Sequence, residues 1–126
     1  MSDAAAGPIK VLVIDDSNTI RRSAEMFLRQ AGFEVILAED GFDALAKISD
    51  HRPRVIFVDI MMPRLDGYQT CALIKNNQMF KSTPVIICST KGQETDKVWG
   101  LRQGARAYVV KPVKQADLLA KISALG

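Results

Sequence analysis

Five short apolar runs alternate with five stretches whose apolar positions recur at helical spacing, and few architectures accept that rhythm. Ile9–Ile14 precedes a predicted helix over about Asn18–Gln30, with Ile20, Ala24, Phe27, Leu28 and Ala31 as its apolar positions and Gly32 as its C-cap. Glu34–Ala38 is a short second strand, and the helix after it, about Phe42–Ser49, carries Ala44, Leu45 and Ile48 on one face. Val55–Val58 is followed by a helix over about Tyr68–Lys75. Pro84–Ser89 comes next, its Pro at a strand start where a missing N–H is harmless. A helix over about Glu94–Gln103 places Val98, Leu101 and then Ala105 inward and stops at Gly104. Ala107–Val110 is the fifth strand, and a last helix over about Gln115–Ala124 buries Leu118, Leu119 and Ile122.

Strict alternation of this kind predicts the α/β class: a five-stranded parallel sheet with five helices on its two faces, joined by right-handed crossovers. The strand number and length suit a doubly wound, flavodoxin-like order 2-1-3-4-5, an order taken by analogy with known folds. A chain of 126 residues makes one domain, here expected over residues 9–126 behind a flexible lead, residues 1–8.

The carboxyl edge of such a sheet is where chemistry collects. Val55–Val58 is apolar throughout, as strands covered on both faces are, yet it ends on Asp59, just before a turn rich in breakers (Pro63, Asp66-Gly67). The first strand ends in Asp15-Asp16, the fourth in Ser89-Thr90 and the fifth in Lys111-Pro112. In the order 2-1-3-4-5 these four strands are neighbours, so three carboxylates, a hydroxyl and an ammonium meet in one cleft. Three close carboxylates repel and need compensation. Lys111 supplies one positive charge, and Mg²⁺, a hard cation that keeps waters and takes phosphate oxygens, suits the remainder. A carboxylate nucleophile so placed is equipped for phosphoryl transfer onto Asp59. Singly, each residue has an ordinary reading: Asp16 as a helix N-cap, Lys111 as a surface lysine, Ser89 as a satisfied core hydroxyl. Only their joint position argues for function.

Bulk properties narrow the class further. The net charge of +3 is spread along the chain, which does not single out nucleic acid as a partner. No apolar run approaches the roughly 20 residues that span a bilayer, and Met1–Pro8 lacks the basic and apolar regions of a signal peptide. A cytoplasmic protein is expected. Cys71, in a predicted helix, and Cys88, in a predicted strand, read as free thiols. His51, the one histidine, reads as a solvated loop residue with no cysteine partner.

At these positions the chain resembles the response-regulator receiver domain. Val11-Leu12-Val13-Ile14-Asp15-Asp16-Ser17, Asp59 with Met62-Pro63 and Asp66-Gly67, Ser89, and Lys111-Pro112 match the family pattern over about residues 9–124. The resemblance implies that Asp59 is the phosphoacceptor, that Asp15 and Asp16 bind Mg²⁺, and that the Met61 carbonyl is a backbone ligand. It likewise implies that Ser89 is the switch hydroxyl, assisted by the Thr90 N–H, that Lys111 pairs with the phosphoryl group, and that the Lys111-Pro112 peptide is cis. Tyr108 matches the aromatic that turns inward on activation, and Met61 and Lys91 stand where the family tunes dephosphorylation. Asp59 to Asn77 looks like the regulators of type IV pilus twitching motility, while Thr90 to Gly100 is similar to a sister regulator of that pathway.

The resemblance implies a stand-alone, monomeric regulator that takes its phosphoryl group from a chemotaxis-type histidine kinase. It would signal to a pilus or motility protein through the face holding Glu94–Gln103, Tyr108 and Gln115–Ala124, with no nucleic acid and no membrane insertion. Trp99, one residue off the Val98–Leu101 stripe, suits half-buried packing and a partner surface equally. The alternatives are a general chemotaxis-type or phosphate-sink receiver, a degenerate receiver that signals without phosphate, and an aspartate-nucleophile phosphohydrolase. The degenerate receiver conflicts with the complete acidic set. The phosphohydrolase would keep its nucleophile in an Asp-x-Asp at the first strand, where this chain has the adjacent pair Asp15-Asp16.

Thr90 departs from the family, which usually has Ala or Gly beside the hydroxyl residue. A β-branched side chain there crowds the approach to Asp59. Thr90→Ala is therefore expected to phosphorylate faster from a small acyl-phosphate donor, as followed by intact-protein mass; equal rates would remove the crowding argument.

Overall fold

The computed structural model describes residues 9–62, 64–89, 94–111 and 114–125. The lead Met1–Pro8 and the positions Pro63, Thr90, Lys91 and Pro112, with the expected cis peptide, lie outside them. Strands β1 (Lys10–Ile14), β2 (Glu34–Ala38), β3 (Val55–Asp59), β4 (Val85–Ser89) and β5 (Ala107–Val110) alternate with five helices. These are α1 (Asn18–Gln30), α2 (Gly41–His51), α3 (Gly67–Lys75), α4 (Glu94–Arg102) and α5 (Gln115–Leu125). All paired strands are parallel, in the expected order β2-β1-β3-β4-β5.

Period-two alternation sorts the strand residues onto two apolar layers. Val11, Val13, Val55, Phe57 and Ile86 face a core closed by Leu28 of α1 and Leu118 of α5. Leu12, Ile14, Ile56, Val58 and Ile87 face the other, closed by Ala44 and Ile48 of α2 and by Cys71 and Ile74 of α3. β3 and β4 are buried at every position. The resulting sheet has no polar face, which is why the run Val55–Val58 shows no alternation of apolar with polar residues.

Local chemistry sets the helix ends. Asp66 accepts from the Gln69 N–H at 2.8 Å while the Gln69 side chain accepts from the Asp66 N–H at 3.0 Å, a reciprocal cap that starts α3 at Gly67. Ser17, not Asp16, caps α1, accepting from the Ile20 N–H at 3.3 Å; Asp16 is thereby left available at the sheet edge. His51 belongs to the last turn of α2 rather than to a loop, although it is exposed as expected.

Helix α4 departs most from expectation. Val98 and Leu101 do not point inward: they are 46% and 51% exposed. Gly100 faces the sheet instead, where a Cβ would lie 3.0 Å from Ile87 Cδ1 and 3.2 Å from the Tyr108 ring. The missing side chain gives the helix its close seat on the sheet, and the larger apolar residues are turned outward. Trp99 is half-exposed, its ring edge-on to Tyr68 with centroids 6.3 Å apart. Both cysteines are free and buried; burial pushes the thiols up to about 11 for Cys71 and about 12 for Cys88, so neither is a ready nucleophile. No helix among the described residues is long and apolar enough to cross a membrane.

Gly67 is where the fold presses hardest on the sheet edge. A Cβ there would stand 2.3 Å from the Asp59 carbonyl oxygen and 2.8 Å from Ile60 Cα, both backbone atoms. Gly67→Ala is expected to cost about 1–3 kcal/mol through displaced backbone, read as a lower urea midpoint. An unchanged midpoint would show that the β3–α3 loop moves aside freely.

Candidate functional site

Strand register brings the chemistry level. Ile14 lies beside Val58, Asp59 beside Cys88 and Ser89 beside Val110. Asp15, Asp59, Ser89 and Lys111 therefore emerge together at the carboxyl edge, and the Lys111 N–H donates to the Ser89 carbonyl at 2.7 Å. The Lys111 ammonium donates to Asp15 Oδ2 at 2.8 Å and to Asp59 Oδ1 at 2.9 Å. All three side chains are at most 9% exposed, so this is a buried ionic bridge, not a surface pair. Asp16 completes the cluster from the solvent side: one oxygen from each of Asp15, Asp16 and Asp59 lies within 4.8 Å of the others.

The electrostatics follow from that geometry. Burial pushes the Asp59 carboxyl above its ordinary range, and the charges of Asp15 and Asp16 add to the effect. The hydrogen bond and charge of Lys111 oppose it without cancelling it. Burial disfavours the charged form of Lys111, but its two hydrogen bonds and the two carboxylate charges outweigh this and raise its pKa. With three acids against one base the site is short of positive charge. Oxygen donors at this spacing fit a hard divalent cation.

Several supporting residues escaped the sequence reading. The Ser17 N–H donates to Asp15 Oδ1 at 2.9 Å, so both oxygens of Asp15 are held. Arg21 reaches back from α1 to the Asp15 carbonyl oxygen and to Asn18 Oδ1, pinning the β1–α1 turn. On the far side Arg64 pairs with Asp40 and lies over the Phe42 ring at 5.0 Å, tying the β3–α3 loop to the start of α2. The Asp43 N–H and Arg64 hold the Asp40 carboxyl below its ordinary range. An arginine a turn into a helix, or after Met-Pro, gives no local signal of such a contact. Of the expected site residues, Ser89 is fully buried, Tyr108 is partly buried against the α2–α3 core layer, and the Met61 side chain is exposed. Thr90, Lys91 and Pro112 lie outside the described residues.

Because the folded state raises the Asp59 pKa from an ordinary value of 3.8, it keeps a proton that the unfolded chain has already released. Stability therefore falls as pH climbs from about 4 through the raised value, and stays reduced above it. Asp59→Asn is expected to be more stable than the parent in metal-free buffer at about pH 7, with the advantage vanishing near pH 4. Urea unfolding at several pH values reads this, and a pH-independent difference would contradict it.

The response regulator receiver domain family model matches residues 11–123 of the chain. Protein PilG of Pseudomonas aeruginosa is 61% identical over 116 residues, covering 92% of this chain and 86% of that protein. Protein PilH of the same organism is 42% identical, covering 92% and 96%. Among solved structures, the Vibrio cholerae chemotaxis protein CheY4 superimposes with a TM-score of 0.90 at 33% identity, covering 95% of this chain and 100% of its own. A CheX–CheY–BeF3–Mg²⁺ complex from Borrelia burgdorferi gives 0.89 at 29%, covering 97% and 92%. With the parallel sheet, its strand order and the acid–lysine edge, these matches establish that the chain belongs to the response regulator receiver domain family.

Proposed function

We propose that Asp59 accepts a phosphoryl group from a histidine kinase and that the chain signals the change by protein contact. The observation that carries this reading is the buried bridge from Lys111 to Asp15 and Asp59, with Asp16 within 4.8 Å at the rim. Asp59 Oδ attacks phosphorus in line; the N–P bond to the donor imidazole breaks as the O–P bond forms, and the imidazole leaves with its electron pair and is protonated. Asp15, Asp16 and Asp59, with the Met61 carbonyl, are the groups that would hold Mg²⁺, which when bound offsets the negative charge on the transferring group. Lys111 already stands between two acids, so its ammonium serves the incoming phosphoryl oxygens without being recruited from solvent. The chain in this sense catalyses its own phosphorylation and dephosphorylation.

Buried Ser89 is the hydroxyl nearest in register to turn toward the phosphoryl group, assisted by the Thr90 N–H, and Tyr108 beside Gly100 is the ring that follows. Lys91 and Met61 are taken as tuning positions, and a cis Lys111-Pro112 bond would set the lysine's approach. The readout surface is α4, β5 and α5, where Val98, Trp99, Leu101 and Val110 are all exposed. Their outward turn supports contact with a protein partner. Likeness to PilG and PilH supports a place in a cytoplasmic chemosensory pathway that controls type IV pilus twitching motility.

Incubation with Mg²⁺ and acetyl phosphate is expected to add one phosphoryl mass, labile to base, on Asp59. Lys111→Met should slow the gain by at least about tenfold, the effect of removing one transition-state donor. Asp59→Asn should abolish it. A gain of the same size in Asp59→Asn, or none in the parent with any competent donor, would refute the assignment.

A further inference from the structure

β2 ends the sheet, with β1 as its neighbour on the inner side. The Glu34 N–H donates to the Ile9 carbonyl at 2.9 Å, and the Ala38 carbonyl accepts from the Asp15 N–H at 3.1 Å. Glu34, Ile36 and Ala38 therefore turn their main-chain groups toward β1, and alternation turns those of Val35 and Leu37 outward. A bare apolar edge of this kind is a template for strand addition.

Both outward carbonyls are covered, and in the same way. From α1, Arg29 donates to the Val35 carbonyl at 3.4 Å, while Glu25, one turn back, holds the guanidinium at 3.0 Å. From α2, Lys47 donates to the Leu37 carbonyl, while Asp43, one turn back, holds the ammonium at 3.2 Å. The two helices pack on opposite layers of the sheet, so the edge is clasped from both sides. An acid followed by a base at i+4 is common on helix surfaces. Here two such pairs, on different helices, converge on carbonyls two residues apart in one edge strand.

We propose that Arg29 and Lys47 close the β2 edge and so keep this chain from pairing, strand to strand, with a second copy of itself. A row of main-chain N–H and C=O groups is extended by another strand, and that strand must carry apolar residues on both faces to continue two covered layers. β2 of a second copy meets both conditions: Val35 and Leu37 belong to the α1 layer, Ile36 and Ala38 to the α2 layer. Antiparallel pairing about a two-fold axis normal to the sheet would join each layer to its own counterpart. The two cations occupy the carbonyl oxygens that a partner's N–H groups would need. Their stems fill the space, about 4.8 Å from β2, where its backbone would run. This closure is independent of the phosphoryl chemistry proposed for Asp59.

Sedimentation equilibrium of the full chain, parent against Arg29→Ala/Lys47→Ala, tests this. The double variant is expected to form pairs at least about tenfold more tightly than the parent, through the main-chain bonds gained. Its Val35 and Leu37 amides should gain protection from hydrogen exchange as the pairs form. Arg29→Lys with Lys47→Arg, which keeps a donor at each carbonyl, should behave as the parent does. If the double alanine variant fails to fold, Lys47→Ala alone takes its place, read at the same two amides. Unchanged association in the folded variant, or association that leaves those amides exchanging as in the parent, would overturn the proposal. So would a parent that already pairs through them.

Discussion

One ammonium held between two buried carboxylates is the interaction on which the rest of this molecule depends. Lys111 reaches Asp15 and Asp59 across 96 and 52 residues of sequence, so the bridge exists only if β1, β3 and β5 reach the same edge in register. Removing Lys111 from such a bridge leaves two buried carboxylates uncompensated, whereas the intact bridge contributes little net stability. Its value is functional. The fold maintains a cluster of three carboxylates against one ammonium, and a bound divalent cation would offset that imbalance.

The surrounding structure serves to keep this cluster from relaxing. Both faces of the sheet are covered, so the strand ends cannot splay without exposing apolar layers. Arg21 and the Ser17 N–H hold the turn that carries Asp15, and Gly67 packs against the Asp59 carbonyl. The Arg64–Asp40 pair ties down the loop after Asp59 from the other side. Preorganisation of this kind would lower the reorganisation needed in the transfer proposed for Asp59.

Much of this was legible in the residues. Unbroken apolar runs ending in Asp or Lys announced buried parallel strands with chemistry at their tips, and the strand bounds for β2 and β5 agree residue for residue with the expectation. The order of strands was not legible from periodicity and came by analogy. Helix α4 was misread at Val98 and Leu101, which keep helical spacing with the buried Ala105, because a spacing argument cannot see that Gly100 offers the closer fit beside Tyr108. Long-range hydrogen bonds from Arg21 and Arg64 left no local trace, since an arginine's reach is set by tertiary structure. The competing resemblances to two pilus regulators resolve in favour of greater likeness to PilG, at 61% against 42% identity.

The most direct test of the central claim is a carboxyl ¹³C NMR titration of Asp59 in metal-free protein, with and without Lys111→Met. A midpoint above the ordinary 3.8 in the parent, moving higher still when the ammonium is removed, is the predicted result. A midpoint at or below the ordinary value, or one that Lys111→Met leaves in place, would contradict it.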